Sequence, residues 1–132
     1  MLATVTLNSG LTTIGQYAFD GCASLTTIDL SNVTTINERS FRNCTGLTTI
    51  TLSNSLTIIP NYCFSGDTAL TTINGGTGIT IINEGAFLGC SNLIKTFDFT
   101  NTLSIAREAF KNCSKCTFTN FDNVSSFGSN CL

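Results

Sequence analysis

The chain has 132 residues, of which 42% are hydrophobic and only 11% charged, and its formal net charge is −2 at pH 7. This length fits one domain with a buried core, and the scattered Lys and Arg residues form no basic stripe for nucleic acid. No apolar run is long enough to span a membrane, so we expect neither a nucleic-acid partner nor a membrane span.

The N-terminal residues, MLATVTL, lack the basic segment, the apolar stretch and the small-residue cleavage site of a signal peptide. We therefore expect either that a leader has been removed or that the sequence is a fragment of a longer protein. The first predicted strand begins in the same residues, at Leu2.

A regular repeat runs from this strand to the C-terminus. Phenylalanine recurs at intervals of 22 or 23 residues, and a leucine column and an isoleucine column keep the same period. The three columns are Phe19, Phe41, Phe64, Phe87 and Phe110; Leu2, Leu25, Leu47, Leu70, Leu93 and Cys116; and Ile14, Ile36, Ile59, Ile82, Ile105 and Phe127. We call one period a coil and interpret residues 1–132 as a single domain of about six coils of 22–23 residues, the last one partial, within a longer array.

Each coil begins with a predicted strand of the pattern Leu-x-x-Ile-x-Leu, as in residues 25–30. Apolar and polar residues alternate there, which is typical of a strand with one buried face. A polar turn such as Ser31-Asn32 follows, then a second short segment that ends at the isoleucine column. The return path, with the pattern Ala-Phe-x-x-Cys, is too short for an independent helix, and we expect one helical turn at most.

Stacking explains how such short units can fold. One coil cannot enclose a core, but coils about 4.8 Å apart bury each column against the same column of the neighbouring coils. We therefore expect the phenylalanines to lie in a single file.

One complete coil, LTTIDLSNVTTINERSFRNCTG, resembles a repeat of the BspA-like leucine-rich repeat proteins, and the resemblance covers nearly all of residues 2–132. It implies a right-handed, β-rich solenoid of the α/β class. A parallel sheet lies on the concave side of such a solenoid, and short helical or irregular turns lie on the convex side. Many members of this family are secreted or cell-surface proteins that bind host proteins or other cells, so the resemblance also implies an extracellular or cell-surface location.

Several positions depart from the family pattern. Asp67 stands in a column that otherwise holds cysteine, and Gly75 replaces the last leucine of a strand. The segment Ile94 to Phe99 needs a one-residue slip, and the sixth coil is the poorest match. We expect local irregularities at these points.

The cysteines fit the repeat without any special chemistry. One column holds Cys22, Cys44, Cys90 and Cys113, which we interpret as reduced, buried thiols. The pair Cys113 and Cys116 has C-x-x-C spacing, but the two residues belong to different columns; a local disulfide and a metal site remain the alternatives. Zinc would need two more ligands, and the chain has no His. We predict no cofactor.

Catalysis finds little support in the sequence. Without His the chain lacks the commonest general base near neutral pH, and its carboxylates fall at turn or strand-surface positions. We predict that the protein is not an enzyme.

The outward positions of the predicted strands form a Thr-rich face. Its central positions, which we predict to bind a partner, are Thr27, Asp29, Thr49, Thr51, Thr72 and Asn74. In the last two coils we assign Lys95, Asp98, Thr117 and Asn120 to the same face. Threonine also stabilises exposed strands by propensity alone, so a purely scaffolding role stays open. Six strands offer roughly 400 Å², about half of one partner's share of a standard interface, which predicts weak binding.

Four Asn-x-Ser/Thr sequons could accept glycan in a secretory setting. They begin at Asn32, Asn43, Asn112 and Asn123. The repeat pattern itself produces them, so their presence alone does not establish modification.

These observations together favour a non-enzymatic, extracellular protein-binding or adhesion module whose partner is a protein or a cell-surface ligand. The alternative is a structural protein. Neither end of the sequence reads as a polar cap, and uncovered ends would allow end-to-end association into filaments.

Overall fold

Short parallel strands joined by turns build the structure, a computed structural model that describes residues 3–132. Most coils contribute two strands, so that consecutive strands in the chain alternate between two sides of the solenoid. The strands are β1 Thr13–Ile14, β2 Thr27–Leu30, β3 Thr35–Ile36, β4 Thr49–Leu52, β5 Ile58–Ile59, β6 Thr72–Gly75, β7 Ile81–Ile82, β8 Thr96–Asp98, β9 Ser104–Ile105, β10 Thr117–Thr119 and β11 Ser126–Phe127.

Every strand pairs in parallel with a strand one coil away, which makes the molecule a β-solenoid. On one side β2, β4 and β6 form a sheet, and β8 pairs with β10 in a separate one. On the other side β1 pairs with β3, and β5, β7, β9 and β11 form a four-stranded sheet. The predicted repeat solenoid is therefore confirmed.

The core is the set of stacked columns that the repeat predicts. The phenylalanine rings lie in a single file, with centroid separations of 5.1, 5.6, 5.5 and 5.2 Å from Phe19 to Phe110. The leucine column is fully buried from Leu25 to Leu93, and the isoleucine column is buried from Ile14 to Ile105. In the sixth coil Cys116 is half-buried and Phe127 is 51% exposed. Leu2 lies outside the described residues.

The return path consists of irregular turns, and no helix occurs within residues 3–132. The reason lies in the backbone hydrogen bonds, because alternate N–H groups of each turn donate to carbonyl oxygens of the next coil. Phe41 N–H, for example, donates to the oxygen of Cys63 at 3.0 Å, and Phe64 N–H to that of Ala86 at 2.8 Å. A helical turn would direct these N–H groups along its own axis. The helical turn expected there is therefore replaced by a ladder between coils.

This ladder requires left-handed backbone on both sides of each phenylalanine. Two residues before it, the chain has positive φ whatever the residue type, as in Tyr17 (58°), Arg39 (56°) and Tyr62 (52°). Two residues after it, the same conformation is adopted only by glycine or asparagine, the residues that tolerate it best. That second column consists of Gly21, Asn43, Gly66, Gly89 and Asn112.

The cysteine column supplies hydrogen-bond donors as well as small apolar side chains. The thiols of Cys44, Cys90 and Cys113 donate to the carbonyl oxygen of the phenylalanine in the preceding coil, at 3.1, 3.1 and 2.9 Å. Burial raises the pKa of Cys44 to about 12, so this thiol stays protonated and unreactive at neutral pH. All seven cysteines are free.

Asp67 interrupts that column with a buried carboxyl group. Its side chain is completely buried, and Oδ1 accepts a hydrogen bond from the Cys44 N–H at 2.8 Å. Oδ2 has no hydrogen-bond partner. Because burial penalises the charged form, the pKa of Asp67 is raised to about 9, and the group is a neutral acid at pH 7.

Truncation of a ring in the middle of the file should be costly. Phe64 is fully buried between Phe41 and Phe87, so we expect Phe64→Ala to lower the free energy of unfolding by about 3–5 kcal/mol. Phe127→Ala, at a half-exposed position, is the matched control and should cost less than about 1 kcal/mol. Urea denaturation measures both, and equal losses would contradict the stacked core.

Asp67 should make stability depend on pH in a window where little else titrates. An unfolded Asp is ionised above about pH 4, whereas folded Asp67 keeps its proton until about pH 9, so the folded state binds one more proton between these values. The chain has no His, and the neighbouring thiols of Cys44 and Cys63 have raised pKa values. We therefore expect the free energy of unfolding to fall by about 1.4 kcal/mol per pH unit between about pH 5 and pH 7.5.

Asp67→Cys restores the residue of the column and should abolish this slope while raising stability at pH 7.5. Urea denaturation at several pH values measures both chains. A wild-type stability that stays flat across the window would show that Asp67 is ionised in the folded protein.

Candidate functional site

The six predicted partner-binding residues lie together on the sheet formed by β2, β4 and β6. Strand register aligns them in two ranks across the sheet, and buried isoleucines and leucines alternate with them on the inner side. The ranks are Thr27, Thr49 and Thr72, and Asp29, Thr51 and Asn74. We call this surface the threonine face. The residues of the outer strands are exposed, and those of the central strand are half-buried between their neighbours.

The paired threonines of each coil have different tasks, a division that the sequence did not reveal. The first of each pair is structural, because its hydroxyl donates to a carbonyl oxygen of the preceding coil: Thr48 to Thr26 at 3.1 Å and Thr71 to Thr48 at 3.2 Å. Within the described residues the hydroxyls of Thr27 and Thr49 make no hydrogen bond, so they remain available to a partner.

Two carboxylates give the sheet side its fixed negative charge. Asp29 accepts a hydrogen bond from the backbone N–H of Ser31 at 2.9 Å, which lowers the pKa of Asp29. The hydroxyl of Thr100, the amide of Asn120 and the backbone N–H of Thr100 together lower the pKa of Asp98. Both groups are therefore ionised at neutral pH and close the turns that follow their strands.

The assignment of the face in the fifth and sixth coils is partly wrong. β8 is shifted by one residue, so the outward ranks pair Thr96 with Thr117 and Asp98 with Thr119. The hydroxyls of Thr96 and Thr117 are 2.7 Å apart. Lys95 is half-buried at the edge of the face, and Asn120 follows β10 in left-handed backbone. The cause is an extra residue in the strand segment of the fifth coil, where Phe97 takes the inward position.

A row of paired side chains on the return path, half-buried except for the exposed Tyr17, was missed by the sequence analysis. The guanidinium carbon of Arg39 lies 5.7 Å from the ring centre of Tyr17 and 5.2 Å from that of Tyr62, one ring in each neighbouring coil. Arg42 pairs with Asp20 through two hydrogen bonds of 2.9 Å. The signal was the recurrence of large residues two positions before the first three phenylalanines of the file, at Tyr17, Arg39 and Tyr62. Both guanidinium groups therefore make contacts between neighbouring coils and contribute to the packing of the fold.

All four sequon asparagines are exposed. Asn43 and Asn112 occupy left-handed positions of the return path, and the Asn123 side-chain amide donates to the Thr100 oxygen at 2.6 Å. Their modification stays a prediction.

Chemical sites other than the threonine face are scarce in the part of the chain that the structure describes. No group of three or more His, Cys, Asp or Glu side chains is placed to hold a metal ion there. Among residues 3–132 no helix could cross a membrane. The described surface offers hydroxyl and amide groups for hydrogen bonding.

The comparisons with known proteins agree with this geometry. The pattern described as the BspA type leucine rich repeat region matches residues 1–117 in six copies. No curated protein matches the chain significantly in sequence.

Solved structures with the same fold include three bacterial proteins. A leucine-rich repeat protein from Bacteroides ovatus ATCC 8483 has a TM-score of 0.80 at 23% identity, over 98% of this chain and 35% of that chain. A leucine rich cell surface protein from Faecalibacterium prausnitzii A2-165 has a TM-score of 0.78 at 29% identity, over 89% of this chain and 32% of that chain. The T. pallidum leucine rich repeat protein has a TM-score of 0.70 at 23% identity, over 96% of this chain and 73% of that chain.

The chain thus spans about a third of the length of the first two of these proteins. Three observations indicate the same type of repeat: the match over residues 1–117, the stacked phenylalanine rings and the parallel register of the strands. The chain belongs to the BspA-type leucine-rich repeat family.

Proposed function

We propose that the protein is an extracellular binding module that recognises a protein, in an adhesive role, through the threonine face. The repeat family and the similarity to a cell surface protein support a protein-interaction role. The observation that supports this surface above others is the alignment of six polar side chains in two ranks, among which the hydroxyls of Thr27 and Thr49 are not used by the fold.

The chemistry of the face fits a polar protein surface. Hydroxyl groups both donate and accept hydrogen bonds, and Asn74 adds an amide with both functions. A regular sheet holds these groups rigidly, so little conformational entropy of this protein is lost when a partner binds. Exposed Asp29 contributes the one fixed negative charge on β2, β4 and β6.

Filament formation is the second candidate. It is argued from the apolar side chains of the sixth coil, of which Phe127 is 51% and Leu132 48% exposed, and it requires that no further coil of the same chain covers them. In the preceding coil the equivalent Ile105 and Phe110 are buried. A coil of a second copy that stacks on these side chains would cover them.

Lysine substitutions at the centre of the threonine face should abolish adhesion. Thr49→Lys with Thr51→Lys places two charged side chains between the outer strands, and we expect binding to weaken at least about tenfold through steric and desolvation costs. Lysine is tolerated at a sheet edge of this fold, as Lys95 shows. Adherence of cells or matrix proteins to the immobilised protein measures the effect.

Thr57→Lys is the matched control, because Thr57 is exposed beside β5, on the side with the four-stranded sheet. It should leave adherence unchanged. Equal adherence by the wild type and the double variant, with unchanged unfolding curves, would remove the threonine face as the binding surface.

The filament candidate makes a separate prediction. Light scattering by the pure protein should rise with concentration, and Phe127→Ser with Leu132→Ser should suppress the rise because both substitutions remove exposed apolar surface. A strictly monomeric wild type at all concentrations would contradict end-to-end association.

A further inference from the structure

A cavity of about 140 Å³ lies between β6 and β8, where the sheet of the threonine face is interrupted. Its origin is Gly75, which takes the register position of Leu30 and Leu52 in the two preceding coils. The missing leucine side chain leaves space in the core. Gly75 is required there, because its φ is +72° and a Cβ atom would lie 2.1 Å from the Leu52 oxygen.

The walls of this cavity are apolar and largely aromatic. Leu52, Ile82, Phe87, Phe97 and Phe99 line it and are all buried. The ring of Phe97 lies 5.6 Å from that of Phe87 and 6.2 Å from that of Phe99, measured between centroids. Such walls favour an apolar occupant, above all an aromatic ring that packs against their edges and faces.

The rim is polar and exposed to solvent. Asp98 and Asn101 are exposed at the opening. The Lys95 ammonium lies 5.5 Å from the Phe97 ring centre and donates to the Ile73 oxygen at 3.4 Å. A ligand hydroxyl group at the opening could therefore donate a hydrogen bond to the Asp98 carboxylate or accept one from the Lys95 ammonium.

Size and position together indicate the occupant. Apolar cavities of about 150 Å³ hold a benzene ring. This cavity lies at the edge of the threonine face, where Ile73 and Gly75 of β6 line it. Interface hot spots are typically aromatic side chains seated in desolvated pockets. We propose that the cavity binds an aromatic side chain of the protein partner. The existence of that partner rests on the proposed function, whereas the binding of an aromatic ring rests on the cavity itself.

The test uses p-cresol, the side chain of tyrosine, as the probe. Titration of p-cresol into the isotopically labelled protein should shift the NMR signals of the backbone amides of Gly75, Gly76 and Thr102, which border the cavity. The shifts should saturate with a Kd in the millimolar range. The absence of saturable shifts at these amides would overturn the proposal.

Thr102→Leu tests the location. Thr102 is buried at the cavity wall, in the column that holds Leu56 and Ile79, so leucine fits the fold and fills the space. We expect p-cresol to bind at least about tenfold more weakly to this variant. Thr102→Val, which keeps the side-chain volume, should bind within twofold of the wild type. Undiminished binding to Thr102→Leu would place the probe elsewhere and overturn the proposal.

The two proposals fail separately. Thr49→Lys with Thr51→Lys should leave p-cresol binding intact while it abolishes adherence. Thr102→Leu should weaken both, and unchanged adherence by this variant would show that the partner does not use the cavity.

Discussion

Register between neighbouring coils is the constraint on which the rest of this structure depends. Each coil is too short to enclose a core, so every apolar side chain is buried by its equivalents in the coils on either side. The phenylalanine file shows how strictly the register is kept, since successive rings stay within 5.1 to 5.6 Å and nearly parallel. Backbone hydrogen bonds impose the same spacing on three sides: the two sets of strands and the ladder of the return path. A residue inserted in one coil must therefore be absorbed locally, as in the shifted strand β8.

The same constraint separates the inward columns from the outward residues. An inward position must fit the size of its neighbours and satisfy any polar group that the turn leaves buried, which explains a column of thiols that donate to phenylalanine carbonyls. Asp67 meets the size requirement but leaves one carboxyl oxygen unpartnered. Outward positions only have to suit a strand, so their chemistry is free to serve recognition. The first threonine of each pair is an intermediate case, because its hydroxyl still bonds to the preceding coil.

Much of this arrangement could be predicted from the sequence, because periodicity reports which side chains share an environment. The three columns and the six residues of the threonine face follow from the period alone. The return path could not be predicted in the same way, since Tyr17, Arg39 and Tyr62 give no sign of left-handed backbone. The column of glycine and asparagine two residues after each phenylalanine was a usable signal for that geometry. In the fifth coil the slip was visible, but its consequence for Lys95 and Thr96 depended on which aromatic side chain turned inward.

The interruption between β6 and β8 shows how a regular scaffold can acquire a specific site. The rank of Thr27, Thr49 and Thr72 presents the same group at three successive coils, so by itself it offers a partner no reason to prefer one register over the next. Gly75 and the slip at Phe97 break that uniformity at one place and open an apolar cavity in an otherwise polar surface. The break has a structural cost, because Lys95 has to satisfy the Ile73 carbonyl that a continuous ladder would have paired. A partner that places one ring in the cavity would gain both desolvated contact area and a fixed position along the face.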